Sequence, residues 1–275
     1  MEMYVIQTQA ALTTLVPIAA VFLLLAFAVK RGQVREAYRR SRRESLTNLS
    51  IWILNYIILV PVFFFPVFLI REALPDFGGL QAFWAGLPLP LTILVSIFVV
   101  DFCAYWRHRL EHRRSLWRIH ATHHADEAMT WFSVVRKHPL SHWLAMLLDT
   151  PLALAIGLPV EAVAVAMVIR SWWGHFIHAD VPWTLGPLGL ILISPAAHRL
   201  HHIRDERLMG YNYANTITLW DRMFGTWLNP APYVDCETGI AEGTRDFLGE
   251  LKRPWEKHYR LGSNGESAIG PVQTH

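Results

Sequence analysis

Histidine dominates the chemistry open to this sequence. His108 and His112 stand four apart in "HRLEH", and His120, His123 and His124 form the box "HATHH". His175 and His178 stand three apart in "GHFIH", and His198, His201 and His202 repeat the HxxHH spacing in "HRLHH". Residues three and four apart share a helix face, so each block can aim its ring nitrogens at one point. One ion takes about four to six ligands. Ten imidazoles therefore suit two metals, with each HxxHH box serving both. Imidazole binds iron, zinc and copper alike, so ligand type leaves the metal open. Carboxylates are sparse nearby. Asp101 lies seven residues before His108, two turns along the same face, and is a candidate to accept a hydrogen bond from a ligand's second N–H.

A single membrane-proximal histidine is ordinarily structural, but two boxes and two spaced pairs outrun that explanation. Bis-histidine haem ligation needs only two to four histidines at matched depth inside apolar spans, whereas these lie beyond the span ends. A structural zinc site closes with four ligands and leaves most of the set unused. The remaining candidates are weaker. His138 and His142 in "RKHPLSH" are also four apart, but Pro139 interrupts them, and His138 is the one expected near the site. In "RDERLMG", Arg204 or Asp205 is a candidate to support a ligand. "WDRMFGTW" reads as packing, and His258 and His275 read as surface residues.

The elements that must position these rings are membrane helices. Hydrophobic residues make up 53% of the 275, and charged residues only 17% against about a quarter in soluble domains. The shortfall lies in a few long apolar runs. The first, Ala10 to Val29, has no basic residue before it and "KRGQVREAYRRSRRE" after it, the reverse of a cleavable signal. That basic segment reads as a cytoplasmic loop, which places the N-terminus outside. A second span runs from Leu49 to Ile70 and carries Pro61 and Pro66 as kinks; Arg71, Glu72 and Asp76 follow outside. A third starts near Leu87 and ends near Trp106, where Arg107, Arg109, Arg113, Arg114 and Arg118 again mark the cytoplasm. Leu140 to about Trp173 is apolar but broken at "GLPVE", and reads as a helical hairpin. Only a returning hairpin lets the histidines on its two sides meet. "LGPLGLILI" is too short to cross and reads as interfacial.

The fold expected is thus all-α and integral to the membrane. It has about four transmembrane helices, including the broken hairpin, and a cytoplasmic helical cap holding a dimetal site. The chain divides into helices and basic loop at 1–86, a catalytic region at 87–230 and a cytoplasmic tail at 231–275. The basic balance, net charge +3, belongs with lipid headgroups and topology, and no nucleic-acid partner is expected. Cys103 and Cys236 fit no disulfide or metal spacing.

From Thr92 to Trp227 the sequence resembles the fatty acid hydroxylase/sterol desaturase superfamily of membrane-bound, histidine-rich di-iron enzymes. The likeness rests on "DFCAYWRHRLEH", "HATHH", "RKHP", "GHFIH" and above all "HRLHHIRDERLMGYNYANTITLWDRMFGTW". It implies ligand roles for all ten histidines: His108, His112, His120, His123, His124, His175, His178, His198, His201 and His202. It further implies two iron ions, with zinc entering by mismetallation. O2 is the implied co-substrate, with a lipid drawn from the bilayer. No fused haem electron carrier is visible, so a separate donor protein of the cytochrome b5, ferredoxin or reductase kind is expected. The metal site would face the cytoplasm, at a bacterial inner membrane or the endoplasmic reticulum. Hydroxylation of a sterol, fatty acyl or ether lipid is the favoured activity. Desaturation within the same superfamily is the first alternative, and a non-redox zinc-dependent membrane protein the second. The HX3H spacing of the first box is found in many sterol- and ether-lipid-type members. The oligomeric state stays open.

Overall fold

The computed structural model describes residues 2–60, 62, 69 and 78–259. The kinked part of the expected second span, its following loop and the terminal stretch with His275 lie outside the described residues. Among those described there is no β-strand, only the isolated bridges Leu192–Ile217 and Ile203–Thr238.

The first helix, α1, spans Glu2–Lys30, and α2 spans Val34–Ile53, followed by a π-helical turn at Leu54–Ile58. Arg31, with φ of 46°, begins the short 3-10 turn between them. The chain doubles back there, because Gln7 Nε2 donates to Tyr56 O at 3.0 Å, forty-nine residues away. The segment "KRGQVREAYRRSRRE" is therefore largely helix rather than the loop expected. Its Arg, Glu and Ala are good helix formers, and charge is no obstacle where one face is solvated. The other face buries Glu44, Thr47, Asn48, Ile51 and Trp52, at helical spacing.

Among the described residues, three helical stretches are long and apolar enough to cross a membrane: Tyr4–Ile58, Leu89–Glu111 and Val160–Ile177. On α1 the outward residues beyond Thr14 are apolar; Leu24 is 69% exposed and Phe27 58%, a pattern that suits hydrocarbon rather than water. After the short α3 (Gly78–Ala85), α4 runs Leu89–Glu111 behind Pro88. A proline also opens three of the later helices, where its missing N–H costs nothing. These are α6 (Pro139–Leu148), α7 (Pro151–Ala155) and α9 (Pro195–His201), while Pro159 caps α8 (Val160–Ile177).

The expected hairpin is present with unequal arms. Its first half is split into α6 and α7 at Asp149 and Thr150, and the second is the unbroken α8. The reversal turns on Gly157, whose φ is +80° and whose added Cβ would stand 3.0 Å from the Gln81 backbone N. With the chain returned, α4 and α8 pack side by side and parallel. Val100 meets Val163 in one buried cluster, and Tyr105 meets Ile177 in another. Their C-terminal ends therefore emerge together, which brings His108 and His178 to the same face.

Beyond those ends sit α5 (Arg114–His124), α9, α10 (Leu219–Met223) and α11 (Phe247–Lys252). Trp117, Ala121, Leu200, Met209 and Ile240 form their core. Residues 231–259, expected as a tail, join this body: Glu250 and Arg253 are fully buried and bonded to each other. Arg136 ties the layers together. Its guanidinium reaches Glu44 and Asn48 of α2, the Thr122 carbonyl of α5 and Glu250 of α11.

Candidate metal centre

Nine of the ten expected histidines converge into two adjoining groups. His108, His112, His120, His124 and His201 form one, and His123, His178, His198 and His202 the other; within each, one ring nitrogen per residue lies within 4.8 Å of the rest. Each HxxHH box is split between them. On α5, His120 and His124 share a face and turn to the first group, while His123 turns to the second. On α9 the division reverses, with His198 and His202 in the second group and His201 in the first. His124 and His202 stack with ring centres 4.3 Å apart where the groups meet.

The hydrogen bonds fix which nitrogen is free. A backbone carbonyl only accepts, so an imidazole nitrogen against one must carry the proton. Nδ1 of His108 donates to Tyr213 O at 2.7 Å, and that of His201 to Tyr211 O at 2.8 Å. His178 donates likewise to Gly174 O at 2.6 Å and His123 to Arg136 O at 3.2 Å. In each neutral ring the remaining Nε2 is a bare lone pair. Yet His108 and His201 bring their Nε2 atoms to 3.0 Å, and His123 and His178 to 3.4 Å. Two lone pairs with no proton between them repel, and a shared cation removes that conflict. Both nitrogens of His112, His120 and His124 are buried without a hydrogen-bond partner, and metal ligation would satisfy one nitrogen of each ring.

Protonation is not the alternative. Burial pushes His201 down to about 4 and His178 to about 3, and it drives His120, His123, His124, His198 and His202 well below the ordinary imidazole value. These rings are neutral at physiological pH, the state a metal ligand requires. The donor set thus fits two closely spaced metal ions bound by imidazole nitrogen.

Other expected residues land elsewhere. His175 belongs to neither group; its Nδ1 donates to Trp131 O at 2.9 Å. Asp101 accepts from Arg170 and from the amides of Thr216 and Ile217 at 3.1 and 3.2 Å, so it bonds no ligand histidine. An acid buried inside a span takes the strongest donors in reach, and here these are a guanidinium and two backbone amides. His138 caps α6, accepting from Leu140 N, with Nε2 on Leu251 O at 3.2 Å. Asp205 pairs with exposed Arg207, away from both groups.

Two supports went unseen in the sequence. Glu111, fully buried, accepts from Arg107 and Ser141 and stands 3.5 Å from His120 Nδ1. Its signal was the acid inside "HRLEH" itself. Asp221, in "WDRMFGTW", accepts from Tyr213 N at 2.8 Å, Ala214 N at 2.9 Å and Thr226 Oγ1 at 2.7 Å. It thereby holds the loop whose Tyr211 and Tyr213 carbonyls orient His201 and His108. A cavity of about 450 Å3, within the usual size of small-molecule sites, opens onto His108, His120, His123, His178 and His198.

Residues 93–226 match the sequence model of the fatty acid hydroxylase family. Human alkylglycerol monooxygenase is 31% identical over 185 residues, 67% of this chain and 40% of that protein. The ornithine lipid hydroxylase OlsE of Rhizobium tropici is 27% identical over 199 residues, 71% of this chain and 60% of its own length. Human lathosterol oxidase is 30% identical over 149 residues, 53% of this chain and 48% of that enzyme. The chain thus spans less than two thirds of each of these relatives. No solved structure matches it.

Proposed function

With residues 93–226 a fatty acid hydroxylase domain of the fatty acid hydroxylase/sterol desaturase superfamily, we propose that the chain is a membrane-bound lipid hydroxylase using O2 and two iron ions. The observation that carries this reading is the paired histidine groups with their bare Nε2 atoms turned inward. Bound iron would supply the activation of O2 with electrons from a separate donor protein, and the chain's residues set the conditions around it. His108, His112, His120, His124 and His201 would hold one ion, and His123, His178, His198 and His202 the other. The carbonyls of Tyr213, Tyr211, Gly174 and Arg136 keep the donor nitrogens aimed. The apolar helices around the cavity exclude water from the oxidised carbon. The relatives whose names give an alkylglycerol and an ornithine lipid as substrates favour a polar lipid over a free hydrocarbon. The basic flanks of the spans favour a cytoplasmic metal face.

Desaturation is the second reading, favoured by a likeness of 31% identity over 146 residues to a sterol 5(6)-desaturase of Gibberella zeae. Both readings require O2 consumption that depends on reductant and lipid. The test is metal analysis joined to oxygen uptake, on protein purified from membranes and reloaded with iron without air. About two metals per chain and uptake abolished by His201→Ala support the proposal. Zinc found on purification does not oppose it, because zinc outranks Fe²⁺ in affinity for such sites. Catalysis that proceeds unchanged without O2 would remove both readings.

A further inference from the structure

The cavity that opens onto the histidines carries more charge than a channel for a hydrocarbon chain requires. Arg107, Lys137, Asp149 and Arg170 all line it, among apolar residues such as Val60 and Met146. Two of the four are mutually satisfied. Arg107 gives Nε and Nη2 to the two oxygens of Asp149 at 2.6 and 3.1 Å and Nη1 to Glu111. The other two have donors to spare. Arg170 gives Nη1 to Asp101 and Thr216, while its Nε and Nη2 bond none of the described residues. Lys137 Nζ has neither a hydrogen bond nor an ion-pair partner among them.

Burial and the neighbouring Arg107 push the Lys137 amine down to about 8, so at neutral pH it still carries its proton. The carboxylates of Glu111 and Asp149 offset part of that push without bonding the amine, and a charged group left with free donors inside a membrane protein marks a ligand by default. Lys137 lines the same cavity as His123, His178 and His198 of the second histidine group.

We propose that this end of the cavity is a subsite for an anionic group on the lipid, a carboxylate or a phosphate monoester, held by Lys137 Nζ and the free N–H groups of Arg170. The subsite rests on the reading of the cavity as the substrate channel of a lipid oxidase. Lys137, Arg170 and the histidines line one cavity of about 450 Å3, so the anion and the oxidised carbon would share it.

Binding tests this without turnover. The full chain in uncharged detergent is titrated with an alkyl carboxylate, an alkyl phosphate and an alkyl alcohol of one length, and bound lipid is counted by native mass spectrometry. Salt at roughly 0.5 M screens the exposed arginines of α2 while leaving a buried contact largely intact. Both anions should bind about tenfold or more tightly than the alcohol, the order between them naming the headgroup. Lys137→Met should abolish that preference and Lys137→Arg should keep most of it. Equal binding of all three lipids to the unaltered protein overturns the subsite, as does an undiminished preference in Lys137→Met. If the Met variant fails to fold, Lys137→Gln replaces it, and the ratio in the unaltered protein decides by itself. An anion preference in a chain that never consumes O2 would spare the subsite and remove the oxidase reading. Oxidation of an uncharged lipid with no anion preference would do the reverse.

Discussion

Replacing Asp221 by alanine tests whether the loop behind the histidines holds the metal centre in shape. The carboxylate is fully buried and is the acceptor for the amides of Tyr213 and Ala214. Removing it orphans both, at about 1–3 kcal/mol for each buried N–H, or roughly 2–6 kcal/mol together. The Thr226 hydroxyl loses the same acceptor but keeps its bond to the Tyr105 hydroxyl. At about 2–4 °C per kcal/mol for a chain of this size, the melting temperature should fall by roughly 5–20 °C. The loop carries the carbonyls that orient His108 and His201, so affinity for the first ion should drop about 10–100-fold. Asp221→Asn keeps one oxygen acceptor in the same volume and should show a smaller loss of both. Thermal unfolding by circular dichroism and metal counting by mass spectrometry read the two effects separately. An alanine variant within about 1 kcal/mol of the parent and fully metallated would refute the clamp.

Three further outcomes follow from the same geometry. His123→Ala and His201→Ala should each abolish activity and lower metal content, whereas His138→Ala should cost only about 1 kcal/mol as a lost helix cap and leave the metals in place. Glu111→Gln, which leaves Arg107 its Asp149 partner, should weaken the first ion about tenfold in a chelator competition, since His120 loses its carboxylate neighbour. In metal-free protein, the buried rings lie below the unfolded histidine value of about 6.5. The unfolded chain therefore takes up protons that the folded chain cannot. The rings' contribution to stability should be level above that pH and decline as pH falls towards about 4, where His201 titrates, and about 3, where His178 does. The slope is about 1.4 kcal/mol per pH unit for each proton, measured by denaturant titration.

Much of the centre was legible because its parts are local. A box such as "HATHH" defines its own faces once the segment is helical, so the sharing of each box between two groups followed from spacing. The returning hairpin followed from the need to bring His124 and His178 together. What spacing could not supply was the tertiary partner. His175 satisfies the i, i+3 rule with His178, yet the Trp131 carbonyl takes its Nδ1 and neither group includes it. Asp101 stands two turns before His108, but the facing Arg170 and two loop amides claim it. The arginine-rich segment after α1 looked like a loop because charge signals exposure, and charge does not by itself break a helix. Glu250 and Arg253 looked like tail residues, although their partners lie in the fold.

The central claim is that this histidine cage directs O2 chemistry at a lipid. The most direct test is growth of a host expressing the chain under 18O2, followed by mass spectrometry of its lipids. The account predicts a lipid species, absent with the His201→Ala variant, that carries one 18O atom drawn from the gas. A new lipid formed equally well without O2, or none that depends on His201, would contradict it.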